Sequence, residues 1–339
     1  MSAKGTKKGV GPNLIFLIFC VGLVIACPVR MYIQIKNIDP STGFYINSNY
    51  PLVELLSVVL IAASLFILIF SYCSSDIFSA VELKGRQIPL SVLSLFASIT
   101  LVYDSIIELT GRDQRMAALV QSERSVETVE KLQGVFSFLA ACWFIILFIG
   151  FLFGSNFFKK IKIFSLFPPC WVILSMLGKL LIAINYRKVS DMALELIAMI
   201  FMLLFLLSSA RQLTDTNREG NFWLSVGSGI VASLLIFTYD IPRISLSLMG
   251  KTNLLVQGFP IRYSHLAIAF FAIGFIITAL RKGSEADPDK IEKPAVPVKI
   301  EKAETAEETK TEQKQSAPVS DENGNFSVSA NKNKPENKN

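Results

Sequence analysis

Eight stretches of this chain run for about twenty residues with few polar side chains, at roughly 14–35, 51–73, 88–110, 134–154, 166–186, 189–210, 222–244 and 262–281. A bilayer's hydrocarbon core is about 30 Å thick, and about 20 helical residues cross it. In lipid the backbone has to satisfy its own hydrogen bonds, which leaves the helix as the spanning form for such runs. The pattern predicts an all-α integral membrane protein of eight spans, with the lipid bilayer as its first partner. Composition agrees: 52% of residues are hydrophobic, 26 are Phe, and only 18% are charged, against about 25% in soluble domains.

The charges concentrate at the end. From Gly283 onward there are 9 Lys and 12 acidic residues, a net −3, so the total of +6 leaves +9 on residues 1–282. Residues 283–339 cannot bury enough apolar surface to offset chain entropy and are expected to be a disordered tail. Cations of the membrane part are scattered at span ends, which gives no indication of nucleic acid. Cys20, Cys27, Cys73, Cys142 and Cys170 show no Cys-x-x-Cys spacing, and a single His accompanies them. They read as free thiols rather than a disulfide or zinc framework, and no metal or cofactor site is expected.

Lys4, Lys7 and Lys8 precede the first span. They favour a cytoplasmic N-terminal segment (1–13) and, with eight spans, a cytoplasmic tail in the plasma membrane. A competing reading takes the first span as a lipoprotein signal ending at a modified Cys27.

The spans repeat. Phe136–Ile149 in span four aligns with Tyr263–Ile276 in span eight at seven identical positions of fourteen. Ala97-Ser98 with Tyr103-Asp104 in span three parallels Ala232-Ser233 with Tyr239-Asp240 in span seven, allowing one inserted residue. Leu52-Val-Glu54-Leu parallels Ala193-Leu-Glu195-Leu, and Leu23 to Arg30 parallels Leu180 to Arg187. Charged residues recurring in register across four spans predict a tandem duplication, repeat 1 at 14–154 and repeat 2 at 155–282. Both halves then share one orientation, about a pseudo-two-fold axis along the membrane normal. An internal partner for span one also weighs against the lipoprotein reading.

Ionisable groups within spans are costly and each marks a candidate site. Arg30, Glu54, Asp104, Glu108, Lys179, Arg187, Glu195, Asp240, Arg243 and His265 all fall towards the outer ends of their spans in this orientation. Ala97, Thr100, Asp104 and Glu108 share one helical face, as do Ser225, Gly229 and Ser233, with Asp240 on the same side. Arg30 with Glu54, and Arg187 with Glu195, are placed to pair. Two readings follow: an outer vestibule that binds a small ligand or protein partner or passes a solute, or ion pairs that only staple helix ends. A carboxylate enzyme using Asp104 and Asp240 is a third. The chain has no His-Glu-x-x-His, Gly-x-Ser-x-Gly or Walker-type motif. No catalytic role is therefore assigned.

Between spans one and two lies KNIDPSTGFYI, Lys36–Ile46. Strand-favouring residues from Tyr32 to Ile38, a turn start at Asp39-Pro40 and a glycine at Gly43 predict a short outer β-hairpin over 32–46. Its lack of a counterpart in repeat 2 suggests a lid carrying Asp39, Pro40, Gly43 and Phe44. Together with Pro28-Val-Arg30-Met-Tyr32, this stretch resembles a family of multi-pass membrane proteins of clostridial Firmicutes with Arg-x-Tyr and Ile-Asp-Pro-x-Thr-Gly-Phe after their first span. The resemblance implies architecture over 14–281 and brings no activity and no catalytic residues.

Overall fold

The computed structural model describes residues 12–39, 51–75, 85–110, 124–155, 160–181, 189–214, 222–255 and 261–285, all within the unit Met1–Lys290. They form eight α-helices: α1 Pro12–Lys36, α2 Pro51–Cys73, α3 Ile88–Leu109, α4 Arg124–Phe153, α5 Phe167–Leu181, α6 Val189–Leu213, α7 Phe222–Leu248 and α8 Tyr263–Glu285. A 3-10 turn, Lys162–Leu166, leads into α5. Eight spans are long and apolar enough to cross a membrane, with α5 reaching that length together with its leading turn. Among the described residues there is no strand.

Local chemistry sets the helix ends. Pro51 opens α2 and Pro89 sits in the first turn of α3, where a missing N–H costs nothing. Gly154 closes α4 at φ +66°, and a Cβ there would stand 3.0 Å from the Arg86 amide nitrogen. Only glycine suits both that conformation and that space. Beside it the Gln87 amide donates to the Phe151 carbonyl at 2.8 Å, fastening the start of α3 to the end of α4.

The expected hairpin is corrected at its first arm. Tyr32–Lys36 are the last residues of α1 and not a strand. Ile33 and Gln34 are buried there, and the Gln34 side-chain amide donates to the Leu254 carbonyl at 3.1 Å. Packing outweighs the strand preference of Tyr and Ile, which is weak and context-dependent. Residues 40–46 lie outside the described residues, as do Arg187, Lys188 and 286–339 of the tail; Gly283–Glu285, expected to be disordered, are instead the last residues of α8.

Six helices close into a ring of neighbours, α3 to α4, α5, α6, α7, α8 and back to α3. Helices α1 and α2 pack on each other and lie against the outer side of α7. The pairings α1/α2 and α5/α6 recur between the halves, as do α3/α4 and α7/α8. The rest do not: α6 packs on α7, whereas α2 and α3 are not substantial neighbours among the described residues. The packing is a ring of six with a flanking pair, and the expected two-fold axis is not visible in it.

Hydroxyls tie the helices at close range. Between α3 and α4, Ser98 donates to the Ala141 carbonyl at 3.1 Å, Ser105 to Gly134 at 2.8 Å and Ser137 to Leu101 at 2.9 Å. Ser233 of α7 donates to Ala269 of α8 at 3.0 Å and Ser71 of α2 to Trp223 at 2.7 Å. Gly229 lets α6 and α8 approach α7, since a Cβ there would meet Phe205 at 2.7 Å and Ile276 at 2.9 Å. One half of the ring interior is aromatic. Phe144 meets Phe271 edge to face at 5.1 Å, Phe205 stands 6.0 Å from Phe275, and Phe222 lies 6.4 Å from Phe275. Outward, α2 exposes Leu55, Val58, Ile61, Leu65 and Phe66 along its length. An exposed apolar face this extensive suits acyl chains rather than water.

Candidate functional site

The opposite half of the ring interior is polar, and every ring helix contributes to it. Because the helices alternate in direction, the ends of α3, α5 and α7 meet the starts of α4, α6 and α8. The spacing of Thr100, Asp104 and Glu108 along α3 does place them on one buried face. Glu108 accepts a hydrogen bond from Gln133 Nε2 of α4 at 2.6 Å and an ion pair from Arg262, just before α8. Asp104 accepts the Ser264 hydroxyl of α8. Lys179 at the end of α5 is paired with Glu195 near the start of α6. His265 turns Nδ1 towards the same carboxylate, 3.8 Å from Glu195 Oε1, and its ring lies 5.7 Å from that of Trp171.

Asp240 and Arg243 come from α7 and are both buried. Arg243 lies over the Tyr239 ring at 4.7 Å, a cation–π contact. Asp240 interacts electrostatically with Arg243, Glu195, Lys179 and Asp104, which places four ring helices around one carboxylate. We call the region a polar cup. Its floor is the aromatic half: Phe271 follows His265 on α8 by six residues, about 9 Å along a helix axis.

Not all of this polarity is satisfied. Trp171 Nε1, Ser175 Oγ, Asp240 Oδ2 and His265 Nε2 are buried with no hydrogen-bond partner among the described residues, and each residue is at most 2% exposed. Trp171, Ser175 and Lys179 are spaced by four on α5, so they rise up one face of it. A buried polar atom without a partner costs about 1–3 kcal/mol. Four such atoms in and beside one cup is a concentration that structural pairing alone does not explain.

Of the ten charged or titratable residues singled out in the sequence, the cup gathers Asp104, Glu108, Lys179, Glu195, Asp240, Arg243 and His265. Arg30 is buried on α1, the helix outside the ring, and Arg187 lies outside the described residues. Glu54 is a correction: it is exposed in the first turn of α2 and forms no ion pair with Arg30 among the described residues. Of the lid residues, Asp39 is half-buried just past α1, and Pro40, Gly43 and Phe44 lie outside the described residues. Glu195 has Lys179 as its partner where Arg187 was expected.

Sequence reasoning missed Gln133, Trp171, Ser175, Arg262 and Ser264. Arg262 and Ser264 adjoin His265 at the start of the eighth apolar run, and a search for every polar residue at the span ends would have found them. Trp171 reads as ordinary core until its unpaired nitrogen is seen. Among the described residues no three His, Cys, Asp or Glu side chains are placed to share a metal ion. Compared with protein-family models, curated proteins and solved structures, the chain matches none.

Proposed function

We propose that the chain is a multi-pass protein of the plasma membrane, with both termini cytoplasmic, whose cup opens on the outer face and binds a small polar ligand. The observation that carries this reading is the set of four buried polar groups without a hydrogen-bond partner among the described residues, Trp171, Ser175, Asp240 and His265, beside polar and charged side chains supplied by all six ring helices. Pockets of this kind combine apolar walls with a few convergent polar groups that select an occupant. The 4+4 duplication is kept as the origin of the sequence. Two details support it: Ser98 and Ser233 make similar bonds to the following helix, and the aligned Phe144 and Phe271 meet at the floor.

A second reading, a structural or assembly component, is favoured by the ion pairs Lys179–Glu195 and Arg262–Glu108, which staple neighbouring helices. The two readings separate in one experiment. The protein in detergent micelles is melted with a panel of amines, amino acids, carboxylates and sugars. A binding cup gives at least one class that raises Tm saturably, with the effect lost in His265→Ala. If no class does so, the stapling reading takes its place.

A further inference from the structure

We infer that the cup takes a small ammonium-bearing solute that also presents an oxygen acceptor, as an amino alcohol or an amino acid does. The inference rests on the binding-cup reading and names the chemistry of its occupant. The first argument is charge. Among the described residues, the charged side chains gathered in the cup are Asp104, Glu108, Glu195 and Asp240 against Lys179, Arg243 and Arg262, one more negative than positive. Lys179 is taken up by Glu195 and Arg262 by Glu108, and Arg243, which acts electrostatically on the buried Asp240, still leaves one oxygen of that carboxylate without a hydrogen-bond partner among the described residues. A carboxylate oxygen in that condition calls for a cationic donor, because burial makes its missing bond costly.

The second argument is the donor and acceptor inventory. His265 Nδ1 faces the Glu195 carboxylate at 3.8 Å, which favours the proton on that nitrogen and leaves Nε2 as an acceptor. The unpartnered acceptors are then Asp240 Oδ2 and His265 Nε2. Trp171 Nε1–H is an unpartnered donor, and the Ser175 hydroxyl serves in either role. An ammonium group supplies N–H donors to the two acceptors, and a hydroxyl or carboxylate oxygen on the same molecule accepts from Trp171 and Ser175. A bare alkali cation leaves the indole N–H unmatched, a plain carboxylate brings no cation to Asp240 and adds charge to an anionic cup, and a neutral polyol likewise brings no cation to that carboxylate. The indole of Trp171, 5.7 Å from the His265 ring, also supplies an aromatic surface of the kind that holds alkylammonium groups.

The test is thermal unfolding of the full chain in detergent micelles, at pH 7 and constant ionic strength, titrated separately with ethanolamine, glycine, methylammonium, sodium chloride, acetate and glycerol. Ethanolamine or glycine is expected to raise Tm saturably, with methylammonium binding about tenfold more weakly because it lacks the oxygen. Asp240→Asn is expected to weaken binding about 10–100-fold, the range for a hydrogen bond to a charged group. Trp171→Phe keeps an aromatic ring but removes the N–H together with the pyrrole part of the indole, so a loss of at least roughly fivefold is expected. It also serves as the second variant should Asp240→Asn not fold. The inference is overturned if sodium chloride gives the same shift, or if the ammonium shift survives both substitutions unchanged. A shift from acetate or glycerol alone, lost in His265→Ala, leaves the cup standing and removes the ammonium assignment. No shift from any probe removes both.

Discussion

Helices α3 and α7 carry the same marks in the sequence, a run of small residues leading to Tyr103-Asp104 in one and Tyr239-Asp240 in the other, yet the bundle treats them differently. Helix α3 keeps a lipid face, with Val92, Phe96, Ile99, Tyr103 and Ile106 exposed, while α7 is buried from Ser225 to Asp240. Their aspartates differ accordingly. Asp104 holds the Ser264 hydroxyl, and Asp240, facing charges of α3, α5 and α6 as well as of its own helix, keeps an oxygen without a hydrogen-bond partner among the described residues. Burial is therefore a property of what packs around a helix and not of its own pattern. For α7 the decisive neighbours are α1 and α2, which cover the side that α3 shows to lipid.

The strongest way to break this comparison is to remove a charge both halves of the cup depend on. Lys179→Ala strands Glu195 in the ring and is expected to cost about 3–5 kcal/mol, seen as a large drop in Tm in micelles. Replacing Lys179 and Glu195 together by Met should recover most of it, since a buried pair and a well-packed apolar pair are of similar stability. A double mutant as unstable as the single one would refute the pairing.

Next comes the small-residue stripe. A methyl group at Gly229 meets Phe205 and Ile276, both buried, so Gly229→Ala is expected to destabilise by about 1–3 kcal/mol. The aligned position in α3 is Ser94, whose hydroxyl bonds only its own helix at the Leu90 carbonyl, and Ser94→Ala should be nearly silent. Equal effects in denaturant melts would show that the two helices are packed alike after all.

The aspartates are a subtler test. Asp104→Ala strands the buried Ser264 hydroxyl and is expected to cost about 1–2 kcal/mol. Asp240→Asn removes the charge from a buried carboxylate that has one oxygen without a hydrogen bond among the described residues, and should leave stability unchanged or raise it. The reverse order in Tm would mean that Asp240 is the structural member of the pair. Smallest of all is Glu54→Gln. Its exposed place at the start of α2 predicts a change within about 0.5 kcal/mol.

The eight helices were legible because span length and hydropathy depend on composition alone. The face of α3 was legible too, because Thr100, Asp104 and Glu108 recur at helical spacing on an otherwise apolar segment. What could not be read was anything set by neighbours. Tyr32–Lys36 resembled a strand because local preference is all a sequence shows of such residues; the burial of Ile33 and Gln34 decided otherwise. Glu54 and Glu195 match in register, yet one faces outward and the other meets Lys179, since α2 lies outside the ring and α6 within it. Arg262 escaped notice because it stands at the first position of the eighth apolar run, where a cation reads as an ordinary span end.

The aromatic floor has an electrical consequence. Phe144, Phe205, Phe271 and Phe275 fill the ring's interior below the cup. In a membrane, this is the insulating stretch across which the transmembrane voltage falls, at about 2.3 kcal/mol per elementary charge for each 100 mV. In the orientation proposed above, a charged guest reaches the cup without crossing this aromatic stretch, and the steepest cost would meet a charge carried beyond it.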